Sequence, residues 1–170
     1  MPLYDATVPQ MRKMLGNLDG WLEKAEAFAK ERGFEVDRFV EFRLAPDQFA
    51  LARQIQACCD TAKFTAARLT GQEAPKDADD ETTVAALRAR IQKTRAYLET
   101  ITEKDFEGAD TRVVKLPFLE GKGALGGEYL NAFALPNFLF HVTTSYAILR
   151  HNGVPLGKRE FIGGMELVDL

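Results

Sequence analysis

Apolar side chains recur in steps of three and four near the start of the chain, at Val8, Met11, Leu15, Leu18, Leu22, Ala25 and Ala29. At 3.6 residues per turn this spacing draws one stripe, widened by Trp21 and Phe28, and predicts an amphipathic helix over Thr7 to Lys30. Arg32 followed by Gly33 supplies a terminal cation and a stop. The same step returns at Phe49, Ala52, Ile55, Cys59, Ala62, Ala66 and Leu69, predicting a second helix that opens with Asp47 as cap or first-turn acid and ends at Gly71. Phe34 to Pro46 holds no sustained period and reads as a connector. A third helix has Val84, Leu87, Ile91, Thr94, Leu98 and Ile101 on one face and is expected to end near Lys104.

The links carry different signals. Gln72 to Glu81 is polar, contains Pro75 and gathers Asp77, Asp79, Asp80 and Glu81, which predicts a solvated linker whose acids favour the start of the third helix. It lacks the ligand pattern of a calcium loop. From Asp105 to Gly127 the period changes: Arg112 to Leu116 alternates weakly, Pro117 interrupts, and the glycines that follow are turn material, so a small two-stranded hairpin is expected. Those glycines have no Gly-Lys-Ser/Thr ending and do not form a phosphate-binding loop. Glu128 to Leu135 is a helical lead-in that Pro136 kinks or restarts, and Asn137 to Asn152 is the fourth helix, stopped by Gly153 and Pro155. The tail from Leu156 to Leu170 is apolar enough to dock back.

Four such helices make an all-α bundle, expected as one domain over residues 1–170. The link of residues 71–81 reaches at most about 37 Å, and a second helix of the expected length is about 36 Å long. A crossover that leaves helices two and three parallel is therefore within reach, and length does not choose between connectivities.

Composition narrows the function classes. The chain has 170 residues, 22 basic and 25 acidic side chains and a net charge of −3, which gives no basic surface for a phosphate backbone, so nucleic acid is not an expected partner. No apolar run is seen to reach the roughly 18 residues of a membrane span, and the amino terminus lacks a secretion signal. A cytoplasmic protein is the expectation. Cys58 and Cys59 are adjacent, build no disulfide framework and read as buried small hydrophobes.

One region suggests chemistry. His141 shares a face with Phe138, Ser145 and Ile148, so its imidazole is expected to point into the bundle. Asn137 lies one turn earlier on the same face, a spacing that lets two side chains converge on one ion. A third donor would come from helix two, from Asp60, Gln56 or Cys59. Phe138, Phe140 and Tyr146 could wall an apolar cavity there, overhung by Glu128 and Tyr129. By spacing alone, a core histidine bonded to a carboxylate or carbonyl, with Asn137 as a cap after Pro136, is the more economical reading.

The stretch from Ala134 to Lys158, with Ile55 to Lys63 and Ala67 to Gly71, resembles an uncharacterised branch of the DinB-like helical-bundle superfamily, a group of metalloenzyme-like proteins. The resemblance runs over nearly the whole chain and is most distinctive at the fourth helix. It implies an up-down-down-up bundle, often a homodimer, whose better-known relatives hold a divalent metal such as zinc or nickel with three histidines and include thiol-dependent transferases and isomerases. Carried onto this chain, the paired positions of the fourth helix fall on Asn137 and His141, and the helix-two position falls near Asp60. Only one of the three remains histidine. The resemblance thus points to an altered metal or small-ligand site, with association as a non-catalytic homodimer the alternative.

Overall fold

A computed structural model describes residues 2–116 and 120–169. Helix α1 spans Leu3–Arg32, α2 spans Leu51–Thr70 and α3 spans Val84–Glu99. A two-stranded antiparallel hairpin follows, β1 (Val113–Lys115) with β2 (Gly123–Leu125), in the register Val113 to Leu125 and Lys115 to Gly123. The long helix α4 then spans Gly126–His151, and a short α5, Lys158–Ile162, closes the fold. The expected interruption at Pro117 lies outside the described residues.

The predicted stops hold for a simple reason. Gly33 and Gly71 take φ of 72° and 77°, the left-handed conformation that ends a helix and that glycine reaches without a Cβ clash. Other boundaries differ. α1 begins earlier than its stripe, and Pro9 sits inside it. α2 begins at Leu51, capped by the backbone of Ala50, so Asp47 is not its cap and Phe49 lies outside the helix, more than half exposed. The connector before it holds a 3₁₀ helix, Val36–Glu41, which buries Phe39 and Val40. α3 stops at Glu99, short of Lys104, and a separate 3₁₀ turn, Glu103–Phe106, follows.

Helix directions follow from side-chain pairs. Arg12 meets Glu99 and Glu26 meets Arg88, so α1 and α3 run antiparallel. His141 meets Gln54 while Tyr129 meets Arg68, so α2 and α4 are antiparallel as well. Trp21 packs on Tyr146 and Phe28 lies under Gly153, which makes α1 and α4 parallel. The order is up-down-down-up. The crossover is the linker after Gly71, which returns along α2 until the Val84 amide donates to Asp37 Oδ1 at 2.8 Å.

That linker is solvated along its length, as expected, but three of its acids have a further role. Asp77, Asp79 and Glu81 are claimed by cations of the bundle: Asp77 by Lys63 and by Lys93 (2.6 Å), Asp79 by Arg90 (2.6 Å) and Arg53 (2.8 Å), Glu81 by Arg90 (3.1 Å). The Lys63 and Arg90 side chains are only 2% and 1% exposed, and a buried cation without a carboxylate would be very costly. Three of the acids that composition assigned to a helix start are thus spent strapping the crossover to α2 and α3.

α4 is continuous through Pro136 because the chain widens into a π-helical turn, Tyr129–Ala134, just before it. Pro136 has no N–H to give the carbonyl four residues back, and its ring crowds that carbonyl; a wider turn relieves both. The result is a helix long and apolar enough, by length and composition, to cross a membrane, which reading Pro136 as a break concealed. Here one face of it builds the core through Phe138, Val142, Ile148 and Leu149. α5 docks on α1: Trp21 Nε1 donates to the Glu160 carbonyl (3.0 Å), and Phe161 stacks on the indole. Beyond it Met165, Leu167 and Val168 are exposed, so docking of the tail stops at Phe161.

Candidate functional site

α2 and α4 diverge around a small cavity of about 200 Å³. α2 contributes Arg53, Ala57, Asp60, Thr61, Phe64 and Arg68; the π turn contributes Tyr129 and Phe133, and the turn after Pro136 contributes Asn137. The π turn thus supplies two aromatic rings to the lining, the buried Tyr129 and the half-buried Phe133. Asp60 and Asn137, singled out from the sequence, therefore line one cavity, from α2 and α4 respectively. His141 does not line it.

Each of the three residues has its own partner. His141 is buried, and its Nδ1 lies 2.7 Å from Gln54 Oε1. Gln54 in turn donates from Nε2 to the Phe49 carbonyl at 3.2 Å. Because that amide oxygen can only accept, the imidazole proton sits on Nδ1 and Nε2 keeps its lone pair. Burial, with the Arg53 charge nearby, lowers the His141 pKa and keeps the ring neutral. Asn137 Nδ2 donates to Thr61 Oγ1 at 2.8 Å, and the Thr61 hydroxyl donates in turn to the Ala57 carbonyl at 2.7 Å. Asp60 Oδ1 is gripped by Arg90 Nη2 (2.7 Å) and Lys63 Nζ (2.9 Å), on the side of α2 facing the crossover. No hydrogen bond or ion pair joins any two of His141, Asn137 and Asp60.

This donor set does not fit a resident zinc or nickel ion. Such ions take three or more ligands from histidine, thiolate and carboxylate, and among the described residues no group of three such side chains is placed to hold one. The Asp60 charge is already neutralised by two fixed cations. Asn137 offers a weak amide oxygen, and Arg53 and Arg68 line the same cavity and repel a cation.

Gln56 and Cys59, the other helix-two alternatives, are also engaged elsewhere. Gln56 donates to Glu81 at 2.9 Å. Cys58 and Cys59 are fully buried, and burial is the main reason their thiols are raised, Cys59 to about 12 despite Thr94 and Arg90 pulling it down. Neither is a ready nucleophile. The aromatic wall also differs from expectation. Phe138 is in the core, Phe140 faces outward and Tyr146 packs on Trp21, whereas Phe64, Tyr129 and Phe133 surround the cavity, without Glu128.

Arg68 is the residue the sequence reading missed. It lies between the rings of Phe64 and Tyr129, at 5.3 and 5.8 Å, and donates from Nη1 to the Tyr129 hydroxyl at 3.1 Å. Its position one helical turn after Phe64 was a visible signal, but only the fold brings Tyr129 to its other side.

An up-down-down-up bundle with its polar cleft between the second and last long helices defines the class of DinB-like helical bundles. A crystal structure of a DinB family member protein from Shewanella denitrificans is similar to this chain at 49% identity, covering 99% of this chain and 96% of that one with a TM-score of 0.96. Within that class the chain belongs to the family described as a domain of unknown function, DUF1993, whose model matches residues 3–162. Among curated proteins there is no significant match.

Proposed function

We propose that this bundle binds a small molecule in the cleft between α2 and α4. The observation that carries the reading is the cavity itself, which is lined by the polar residues Arg53, Asp60, Thr61, Arg68 and Asn137 together with the aromatic Phe64, Tyr129 and Phe133. Concave sites with an apolar wall and a few placed polar groups are the usual form of a ligand pocket. At about 200 Å³ this one takes a fragment-sized group and leaves the rest of the ligand outside. His141 stands outside that lining, with its Nδ1 bonded to Gln54, so the proposal is one of binding and places no proton transfer on it.

The test is a ligand-observed NMR screen of a fragment library, repeated on Ala57→Phe, which fills the cavity from its lining. Hits on the native protein that vanish in the variant support the reading. Hits that persist unchanged, or none at all, overturn it.

A second reading rests on a different face. Leu139 and Phe140 on the outer side of α4 and Leu44 of the connector before α2 are exposed around an apolar depression that includes Thr143 and Ala147. A second copy of the chain is the partner proposed for it, because a two-fold pairing of such a face covers like with like. Sedimentation at micromolar concentration should show a dimer that Phe140→Asp dissociates.

A further inference from the structure

The charges around the cleft do not cancel, and the excess sits on one residue. Arg53, Lys63, Arg90 and Lys93 are matched by Asp60, Asp77, Asp79 and Glu81 in one contiguous network of ion pairs. Arg68 stands outside it. No carboxylate lies within salt-bridge reach of its guanidinium among the described residues, although Glu73 lines the shallow depression on its other side. Its guanidinium lies against the rings of Phe64 and Tyr129, and one N–H is spent on the Tyr129 hydroxyl, which Thr65 Oγ1 also approaches at 3.4 Å. The remaining N–H groups have no hydrogen-bond partner among the described residues. On the opposite wall Asn137 has spent only one of its two amide protons, on Thr61.

We propose that the cleft recognises the anionic group of its ligand, a carboxylate or a phosphate, with Arg68 as the charge partner and Asn137 as a second donor. The inference rests on the ligand-binding reading and names the chemical class that reading leaves open. A guanidinium in contact with two rings has given up part of its rotamer freedom before the ligand arrives, and its planar fork matches a two-oxygen anion edge. The cavity equals roughly seven waters at about 30 Å³ each, room for one charged group and a short stem. The three aromatic rings favour a flat or apolar stem.

The experiment is an amide chemical-shift titration of the whole chain with sodium benzoate, inorganic phosphate and neutral benzamide, each against sodium chloride at matched ionic strength. Saturable shifts at Thr61, Arg68, Tyr129 and Asn137 are expected with benzoate, phosphate or both, and which of them binds distinguishes a carboxylate from a phosphate source. Benzamide should bind at least tenfold more weakly than benzoate. Arg68→Gln should weaken anion binding at least tenfold, and Arg68→Lys should retain part of it while keeping the native spectrum. Equal binding of benzoate and benzamide, insensitive to Arg68→Gln, overturns the anion assignment and leaves the pocket reading standing. An absence of saturable shifts with either anion also overturns it, whatever the fragment screen finds.

Discussion

His141 Nδ1 and Gln54 Oε1 lie 2.7 Å apart between α4 and α2, and both residues are buried. One bond thus fixes the imidazole tautomer, satisfies a buried amide and pins two helices that are far apart in sequence. Removing only one partner leaves the other unpaired in the core. His141→Leu and Gln54→Leu should each cost about 1–3 kcal/mol. The double variant should cost much less than the sum, because no orphan remains. Urea unfolding of the three variants checks this, and additivity would mean the bond contributes nothing.

The same histidine makes stability depend on pH in a defined direction. Its folded pKa is lowered, by burial first and by the Arg53 charge second, so the unfolded chain binds the proton more readily. Its contribution is fully present above the unfolded value of about 6.5 and is lost as pH falls toward the lower folded value. The urea midpoint should fall between pH 7.5 and 5.5, and His141→Leu should flatten that part of the curve.

A second loss is expected at lower pH, from the strap. Burial works to raise the carboxyls of Asp77 and Asp79, but bonds from Lys63 and Lys93 to the first and from Arg90 and Arg53 to the second outweigh it and hold both below the ordinary range. Their stabilisation is present above an unfolded value near 3.9 and disappears as pH falls through the folded values. Arg90→Met should cost about 3–5 kcal/mol at neutral pH, since it strips Asp60, Asp79 and Glu81 of a buried partner. Circular dichroism against pH and denaturant measures both effects.

Gly126 begins α4 where the hairpin ends, and a Cβ there would run into the Ala109 carbonyl, with Leu69 at 3.0 Å on the other side. Backbone cannot step aside as a side-chain tip can. Gly126→Ala should therefore lose about 1–3 kcal/mol, lowering the thermal midpoint by roughly 2–4 °C per kcal/mol. Gly20→Ala, in α1 with open space at its Cβ, is the control and should be neutral or stabilising.

Cys58 and Cys59 should resist a thiol reagent in the folded protein, because burial raises both thiols and withholds them from solvent. Reaction with a disulfide reagent at pH 8 should follow the unfolding rate and become fast in denaturant. Rapid labelling of native protein would contradict the packing.

Much of the fold was legible because helix periodicity and glycine stops are local. The stripe from Val8 to Ala29, the stops at Gly33 and Gly71, and the break before Val84 each follow from a few neighbouring residues. Asp47 failed as a cap because the preceding connector closes on itself as a 3₁₀ turn, and Ala50 reaches the helix start instead. Pro136 misled because a π turn absorbs the geometry that would otherwise break the helix.

At the site, His141 was rightly aimed inward, since one-turn spacing with Phe138 and Ser145 sets its face of α4. Whether Asp60 meets it could not be read that way. Two cations from α2 and α3, brought near by the crossover, outcompete any other partner for that carboxylate.

The sequence by itself determined which residues face inward on each rod and where each rod ends, for those depend on the turn of one helix and the conformations open to glycine. The tertiary structure decided the pairings: Asp60 with Arg90, Asn137 with Thr61, His141 with Gln54, and Arg68 against two rings with no counter-charge among the described residues. Those choices are made by elements up to 87 residues apart, and electrostatic competition among them has no local signature.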